Sequence, residues 1–170
     1  MSVPAIIRNK KLWQTLPFIN GKFQNLNSAI NTFQVHNPAN GEIIASLPSL
    51  TAADVDQAAS IASSTFNSSW RLTSSVERSR VLKKMADLME QNRDDLAAIV
   101  TLESGKPLAE AKGEMIYAQS FYEFYSDEIR RQCPSEGQSI TSSQKTKKFL
   151  TIQQPIGMRV TSSSCAVGNP

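Results

Sequence analysis

The thiol and imidazole side chains, which often serve as nucleophiles, bases and metal ligands, number three in this sequence: Cys133, Cys165 and the single histidine, His36. The cysteines lie 32 residues apart, which is not the Cys-x-x-Cys spacing of metal and redox sites. Neither thiol has a recognisable base partner, and a disulfide between them would be unusual in a cytosolic protein. His36 stands between a strand-like run and Asn37-Pro38, so we expect it in a partly exposed loop. We therefore predict no catalytic, cofactor-binding or metal-ligating residue in this sequence.

The charges and the apolar runs of the sequence argue against two kinds of partner, nucleic acid and a membrane. The first 41 residues carry four basic residues and no acidic one, whereas residues 42–132 carry 14 acidic and 10 basic residues. The basic residues are scattered and are not interleaved with aromatic ones, so we expect no nucleic-acid partner. No apolar run approaches the ~20 residues of a membrane span, and Ile6-Ile7 is too short for the apolar part of a signal peptide. The acid-free start leaves a mitochondrial presequence as an alternative, but we favour the cytosol.

Turn-forming residues predict two β-hairpins near the N-terminus. Asn20-Gly21 lies between apolar residues, and an Asn-Gly pair accepts positive φ at both central positions of a tight turn. Residues 32–35 and 42–47 alternate as strands around a turn at 37–41, which predicts a second hairpin. Much later, residues 148–153 alternate as another strand, after a Ser, Gln, Gly and Lys-rich stretch (132–147) that we expect to be a loop.

Helix start and stop signals predict about four helices between residues 51 and 131. Thr51 with Asp54, and Ser74 with Glu77, have the spacing of capping boxes. Gly105 has the position of a left-handed C-cap, which would end a third helix that begins near residue 93. Pro107 is expected at the first position of the fourth helix.

Apolar residues at helical spacing define the faces that these helices should bury. In the third helix the expected buried face is Leu96, Ile99 and Val100. The fourth helix has the strongest periodicity, compatible with a coiled-coil seam or with one buried face of a globular helix; its alanines and unpaired charges favour the globular alternative. The remaining stripes are Val55, Ala58, Ala59, Ala62 and Phe66 in the first helix, Val81, Leu82, Met85, Ala86 and Met89 in the second, and Leu108, Ala111, Met115, Ala118, Tyr122, Tyr125 and Ile129 in the fourth.

Taken in this order, the segments from about residue 12 to 157 resemble the N-terminal part of the aldehyde dehydrogenase superfamily, and most of all its succinate-semialdehyde dehydrogenase branch. The resemblance implies an α/β fold of which this chain supplies the β-hairpins, about four helices and an oligomerisation-type strand at 148–153. It divides the chain into an N-terminal extension (1–17), the family portion (18–157) and a divergent, disordered tail (158–170). The matching stretches are Phe18-Ile-Asn-Gly-Lys-Phe23, Val35-His-Asn-Pro-Ala-Asn-Gly-Glu42, Arg78 to Leu88, Leu96 to Pro107, Glu110-Ala-Lys-Gly-Glu114, Tyr122 to Tyr125 and Gln154-Pro-Ile-Gly157.

The same resemblance implies what this chain lacks. In the family a cysteine thiolate attacks the aldehyde and NAD or NADP accepts the hydride. The family pattern after Gly157, with its oxyanion asparagine, cofactor lysine, Gly-rich turn, general-base glutamate and nucleophilic cysteine, does not appear here, and the neighbours of Cys165 do not match that nucleophile. We therefore expect a truncated, inactive member without a cofactor site of its own. Two alternatives stay open: a non-catalytic module that binds full-length aldehyde dehydrogenase subunits, and an independent helical domain.

Overall fold

A computed structural model describes residues 3–25, 31–131, 138–141, 143–144, 147–151 and 154–159. These residues form four α-helices and three two-stranded antiparallel sheets. The strands are β1 (Phe18–Ile19), β2 (Lys22–Phe23), β3 (Thr32–His36), β4 (Ile43–Pro48), β5 (Gln138–Thr141) and β6 (Lys148–Thr151), and the helices are α1 (Ala52–Ser68), α2 (Ser75–Gln91), α3 (Arg93–Ser104) and α4 (Leu108–Arg131). Two short 3-10 helices lie at Lys10–Leu12 and Trp70–Leu72.

Both N-terminal hairpins form where the turn residues predict them. Strands β1 and β2 pair around Asn20 and Gly21, whose φ values of 53° and 74° are those of a turn that only Asn and Gly adopt readily. Strands β3 and β4 pair around the turn at 37–41 and bury Val35 against Ala45. His36 is the exposed last residue of β3 rather than a loop residue, because the ladder continues past a register shift to pair it with Ile43.

The helix ends follow the local signals closely. Thr51 with Asp54 and Ser74 with Glu77 form complete capping boxes at the starts of α1 and α2. Gly105 has φ 72° and ψ 4°, the left-handed geometry expected of the residue that ends α3. The carbonyl of Pro107 accepts the first bond of α4, from the Ala111 amide at 3.1 Å, so Pro107 precedes the helix instead of occupying its first position.

Small residues, rather than large ones, occupy the contacts between α2, α3 and α4. The buried positions of these helices include Ala86, Ala97, Ala98 and Ala111, each at most 2% exposed. Small side chains let helix axes approach closely, so the large apolar residues are left at the rims of the contact. The expected buried face of α3 is therefore wrong in detail, since Leu96, Ile99 and Val100 are only half-buried.

The sequence interpretation misses one strand. Residues 132–147 were expected to form a loop, but residues 138–141 form β5, which pairs antiparallel with β6 from Gln138 opposite Thr151 to Thr141 opposite Lys148. Strand β6 (Lys148–Thr151) confirms the described part of the strand expected at 148–153, and all four of its residues are exposed; residues 152 and 153 lie outside the described residues. Residues 160–170, most of the expected tail, lie outside the described residues.

Candidate functional site

The most organised polar cluster joins the N-terminal arm (residues 3–17) to the start of α3. The Asp95 carboxylate is buried and accepts hydrogen bonds from the backbone amides of Arg8 and Asn9, at 2.9 and 2.8 Å. The Asn9 side-chain amide donates to the Asn92 side chain at 2.8 Å, and neighbouring Ile7 is 2% exposed. Because backbone amides satisfy the carboxylate, the cluster holds a chain segment in place and leaves no reactive oxygen directed at a ligand.

Salt bridges at the helix surfaces explain the pKa shifts of two exposed groups. The Lys112 ammonium hydrogen-bonds to Asp94 at 2.8 Å, linking α4 to α3, and this bond lowers the pKa of the Asp94 carboxyl. A hydrogen bond from Lys83 to Asp87, reinforced by its charge, raises the pKa of the Lys83 ammonium, and Glu123 on α4 adds to the effect. All these side chains are solvent-exposed to a large degree. The pKa shifts therefore reflect salt bridges at the helix surfaces and do not indicate a catalytic group.

An apolar groove runs along α1 in the described part of the chain. We call it the α1 groove: it has a volume of about 610 Å³ and lies between α1, the β1–β2 hairpin and residues 157–158. Its apolar walls include Phe18, Ile61, Phe66, Trp70 and Met158. None of the described residues that line it is charged or titratable, so the groove provides neither an acid, a base nor a nucleophile.

Trp70 is held at one end of the α1 groove by Arg78. The guanidinium donates to the Trp70 carbonyl at 3.0 Å and to the Arg71 carbonyl at 3.3 Å. Its central carbon lies 5.7 Å from the centre of the indole ring, within cation–π range. The sequence interpretation did not single out this tryptophan, because the chain reversal that brings it beside α1 depends on an arginine eight residues later.

The helix N-termini do not fit a dinucleotide cofactor. A pyrophosphate binds where free backbone amides at a helix start meet little negative charge. Among the described residues, each of the four helices carries an acidic side chain in its first turn: Asp54, Glu77, Asp94 with Asp95, and Glu110. In α1 and α2 these carboxylates also occupy the capping boxes. In the described residues, an acidic side chain therefore disfavours a pyrophosphate at each helix start.

Two further surfaces are apolar and exposed. Tyr117, Phe121 and Phe124 lie one or two turns apart on α4, and each is at least 45% exposed. The Tyr117 and Phe121 rings meet edge to face, with centroids 4.7 Å apart. On β6, Phe149 and Leu150 are 52% and 66% exposed although they point to opposite faces of the hairpin.

The residues with reactive side chains do not come together. Cys133 and Cys165 lie outside the described residues. His36 is exposed, and its Nδ1 lies 3.1 Å from the Gly41 carbonyl oxygen, across the turn of its own hairpin. Over the described ranges, no group of three or more His, Cys, Asp or Glu residues is arranged to hold a metal ion. None of the helices in the same ranges has the length and apolarity that crossing a bilayer requires.

The hairpins and helices of the described residues are arranged as in part of one class of enzyme, the aldehyde dehydrogenases. The sequence profile of the aldehyde dehydrogenase family matches residues 25–161, and the chain belongs to this family. It is similar to the glutarate-semialdehyde dehydrogenase of Pseudomonas aeruginosa, with 39% identity over 152 residues, or 89% of this chain and 30% of the relative. The NADP(+) succinate-semialdehyde dehydrogenase GabD of Escherichia coli is 38% identical over the same proportions of the two chains.

The fold agrees with this assignment. The crystal structure of succinate-semialdehyde dehydrogenase from Burkholderia pseudomallei superposes with a TM-score of 0.78 at 36% identity, and the match covers 89% of this chain and 30% of that one. The α/β family fold and the predicted branch are thus confirmed. The chain spans about 30% of the length of the curated relatives it matches, so about 70% of each complete enzyme lies outside the residues compared.

Proposed function

We propose that these residues form the N-terminal part of an NAD(P)-dependent dehydrogenase that oxidises a semialdehyde such as succinate semialdehyde to the acid. The observation that carries the proposal is a match of 38–39% identity over 152 residues to two bacterial semialdehyde dehydrogenases. In this proposal residues 18–157 are the family portion and serve as a scaffold. The nucleophile, general base and dinucleotide belong to the part of the family fold outside the matched residues.

We further propose that these 170 residues alone do not oxidise aldehydes. An aldehyde dehydrogenase reaction needs a thiolate, donors for the oxyanion and a nicotinamide placed to accept hydride. The main groove is lined by uncharged side chains, and the helix starts are acidic, which supports the view that none of these parts is supplied here. The same features support the absence of a bound cofactor in this chain.

A chimera tests the scaffold role. Residues 18–157 would replace the matching part of the E. coli NADP(+) enzyme, and reduced nicotinamide would be followed by its absorbance with succinate semialdehyde as substrate. We expect the chimera to turn over and the 170-residue chain to give no signal above buffer. Aldehyde oxidation by the 170-residue chain that is lost in Cys165→Ser would overturn the proposal that these residues alone are inactive. An insoluble or inactive chimera would contradict the scaffold role.

The exposed strand β6 favours a second candidate function, a non-catalytic module that binds full-length aldehyde dehydrogenase subunits. A two-stranded sheet is marginal in water, and exposed apolar strands pair readily with other chains. We expect the tagged chain to co-purify with the full-length E. coli enzyme, and Leu150→Asp to abolish this. Lys147→Asp, just outside β6, is the control that should retain binding; equal recovery of both variants argues against the module.

For the location we propose the cytoplasm, with mitochondria as the alternative that the acid-free start raises. Fractionation of cells that express the natural gene, with antibody against this chain, distinguishes the two compartments.

A further inference from the structure

The chemistry of the α1 groove limits what it can bind. Among the described residues that line it, the only polar side chains are those of Asn20 and Thr65, and none is charged. A carboxylate or phosphate ligand would have to enter without a cationic partner, which is costly in a partly desolvated site. An uncharged, apolar polypeptide surface fits the groove better than a substrate or a cofactor does.

The course of the chain indicates where this surface comes from. Residues 154–159 run back to α1, and Gly157 lies so close to Phe66 that a Cβ there would sit 3.8 Å from the ring. Gly157 and Met158 are two of the residues that line the groove, so any continuation of the family fold leaves from its edge.

The comparison with complete enzymes supports the same source. The matched residues have the same arrangement in the B. pseudomallei enzyme, with a TM-score of 0.78, and there they make up 30% of the chain. The other 70% of such a subunit is available to cover faces that are open here.

We propose that the α1 groove is the docking site for the part of an aldehyde dehydrogenase subunit that lies outside the matched residues, and that burial of Phe66 and Trp70 by that part couples α1 to the catalytic portion. The proposal rests on the scaffold role stated above. Helix α1 makes few close contacts of its own, and Asp54 is its one buried residue. The docking proposal gives this helix a structural function that appears only in the assembled subunit.

A matched pair of substitutions on one helix tests this. Ala62→Glu places a charge in the groove, whereas Ser60→Glu places the same charge on the exposed opposite side of α1. Glutamate is a good helix former, so neither change should unfold the helix in the 170-residue chain. In the chimera we expect Ala62→Glu to lower the soluble activity by about tenfold or more, because it buries an unpaired charge, and Ser60→Glu to leave it unchanged.

Hydrogen exchange provides the readout that activity alone would not. Amides of residues 55–68 should exchange more slowly in the chimera than in the 170-residue chain, and Ala62→Glu should remove that difference. Equal activity of the two chimera variants overturns the docking proposal while leaving the scaffold role intact; an inactive unsubstituted chimera overturns both. The docking proposal is also overturned if α1 amides are protected as strongly in the 170-residue chain as in the chimera. Protection that does not change with protein concentration would identify the chain's own residues as the occupant of the groove. Protection that increases with concentration would identify a second copy of the chain.

Discussion

Replacing Gly105 by alanine should destabilise the fold through two separable effects. Gly105 has φ +72°, and a side chain in this left-handed region costs about 1 kcal/mol or somewhat more. A Cβ there would also lie 2.9 Å from Cγ of Pro38, a ring atom that cannot rotate away. Forcing such a contact adds about 1–3 kcal/mol, so we expect Gly105→Ala to lower the free energy of unfolding by about 2–4 kcal/mol in total.

The contact joins the end of α3 to the turn of the β3–β4 hairpin, and a double-mutant cycle isolates it. Pro38→Ala removes the ring atom, so in that background Gly105→Ala should cost only the backbone part, about 1 kcal/mol. The measurement is urea unfolding followed by the helical circular dichroism signal, at concentrations where light scattering detects no association.

Gly113→Ala is the matched control. Gly113 lies inside α4, its φ is not in the left-handed region and nothing lies within 4 Å of a Cβ built on it. The same chemical change should therefore stabilise the protein there by about 0.5–1 kcal/mol. A loss below about 0.5 kcal/mol at Gly105 in both backgrounds would refute the cap argument, and equal losses in both would refute the contact with Pro38.

Three other outcomes are expected. Asp95→Ala should cost about 2–3 kcal/mol, because it leaves the Arg8 and Asn9 amides without their acceptor, and hydrogen exchange at those two amides should accelerate more than elsewhere. The Lys112 hydrogen bond lowers the pKa of Asp94 below the ordinary value of 3.8. The stabilisation from this bond is therefore full above pH 3.8 and is lost as the pH falls through the lower pKa of the folded state. Asp94→Asn should flatten this loss of stability at acid pH in unfolding titrations, and an unchanged loss would contradict the salt bridge. The 170-residue chain should self-associate through its exposed apolar faces, which scattering detects; a compact monomer with strongly protected amides across 108–129 and 148–151 would show that the helices suffice on their own.

The candidate site was predictable only in a limited sense. The sequence does not reveal the α1 groove. Phe18, Phe66 and Trp70 come from three elements, and only their tertiary placement makes a continuous apolar wall. The one hint in the sequence was the apolar stripe of α1, which was interpreted as a buried face although Ala62 and Val55 are exposed.

The sequence by itself determined the features that depend on a few neighbouring residues. The capping boxes at Thr51 and Ser74, the Asn20-Gly21 turn and the left-handed Gly105 are settled by bonds and torsions within one turn of chain, so the residue types suffice to predict them. The family resemblance follows from the order of these same signals.

Only the tertiary structure decided which faces are buried and which segments pair. Ala97 and Ala98, rather than Leu96 and Ile99, are buried because α3 approaches α4 through small side chains, and a helix's own periodicity does not identify its neighbour. Strand β5 forms from a polar segment because β6 supplies the opposite half of the ladder, and Asp95 is buried because a segment 86 residues earlier brings two amides to it. The helix contacts and the Asp95 bonds join residues distant in sequence, and β5 needs β6 beside it, so the free energy of these interactions depends on the assembled fold and not on local propensity alone.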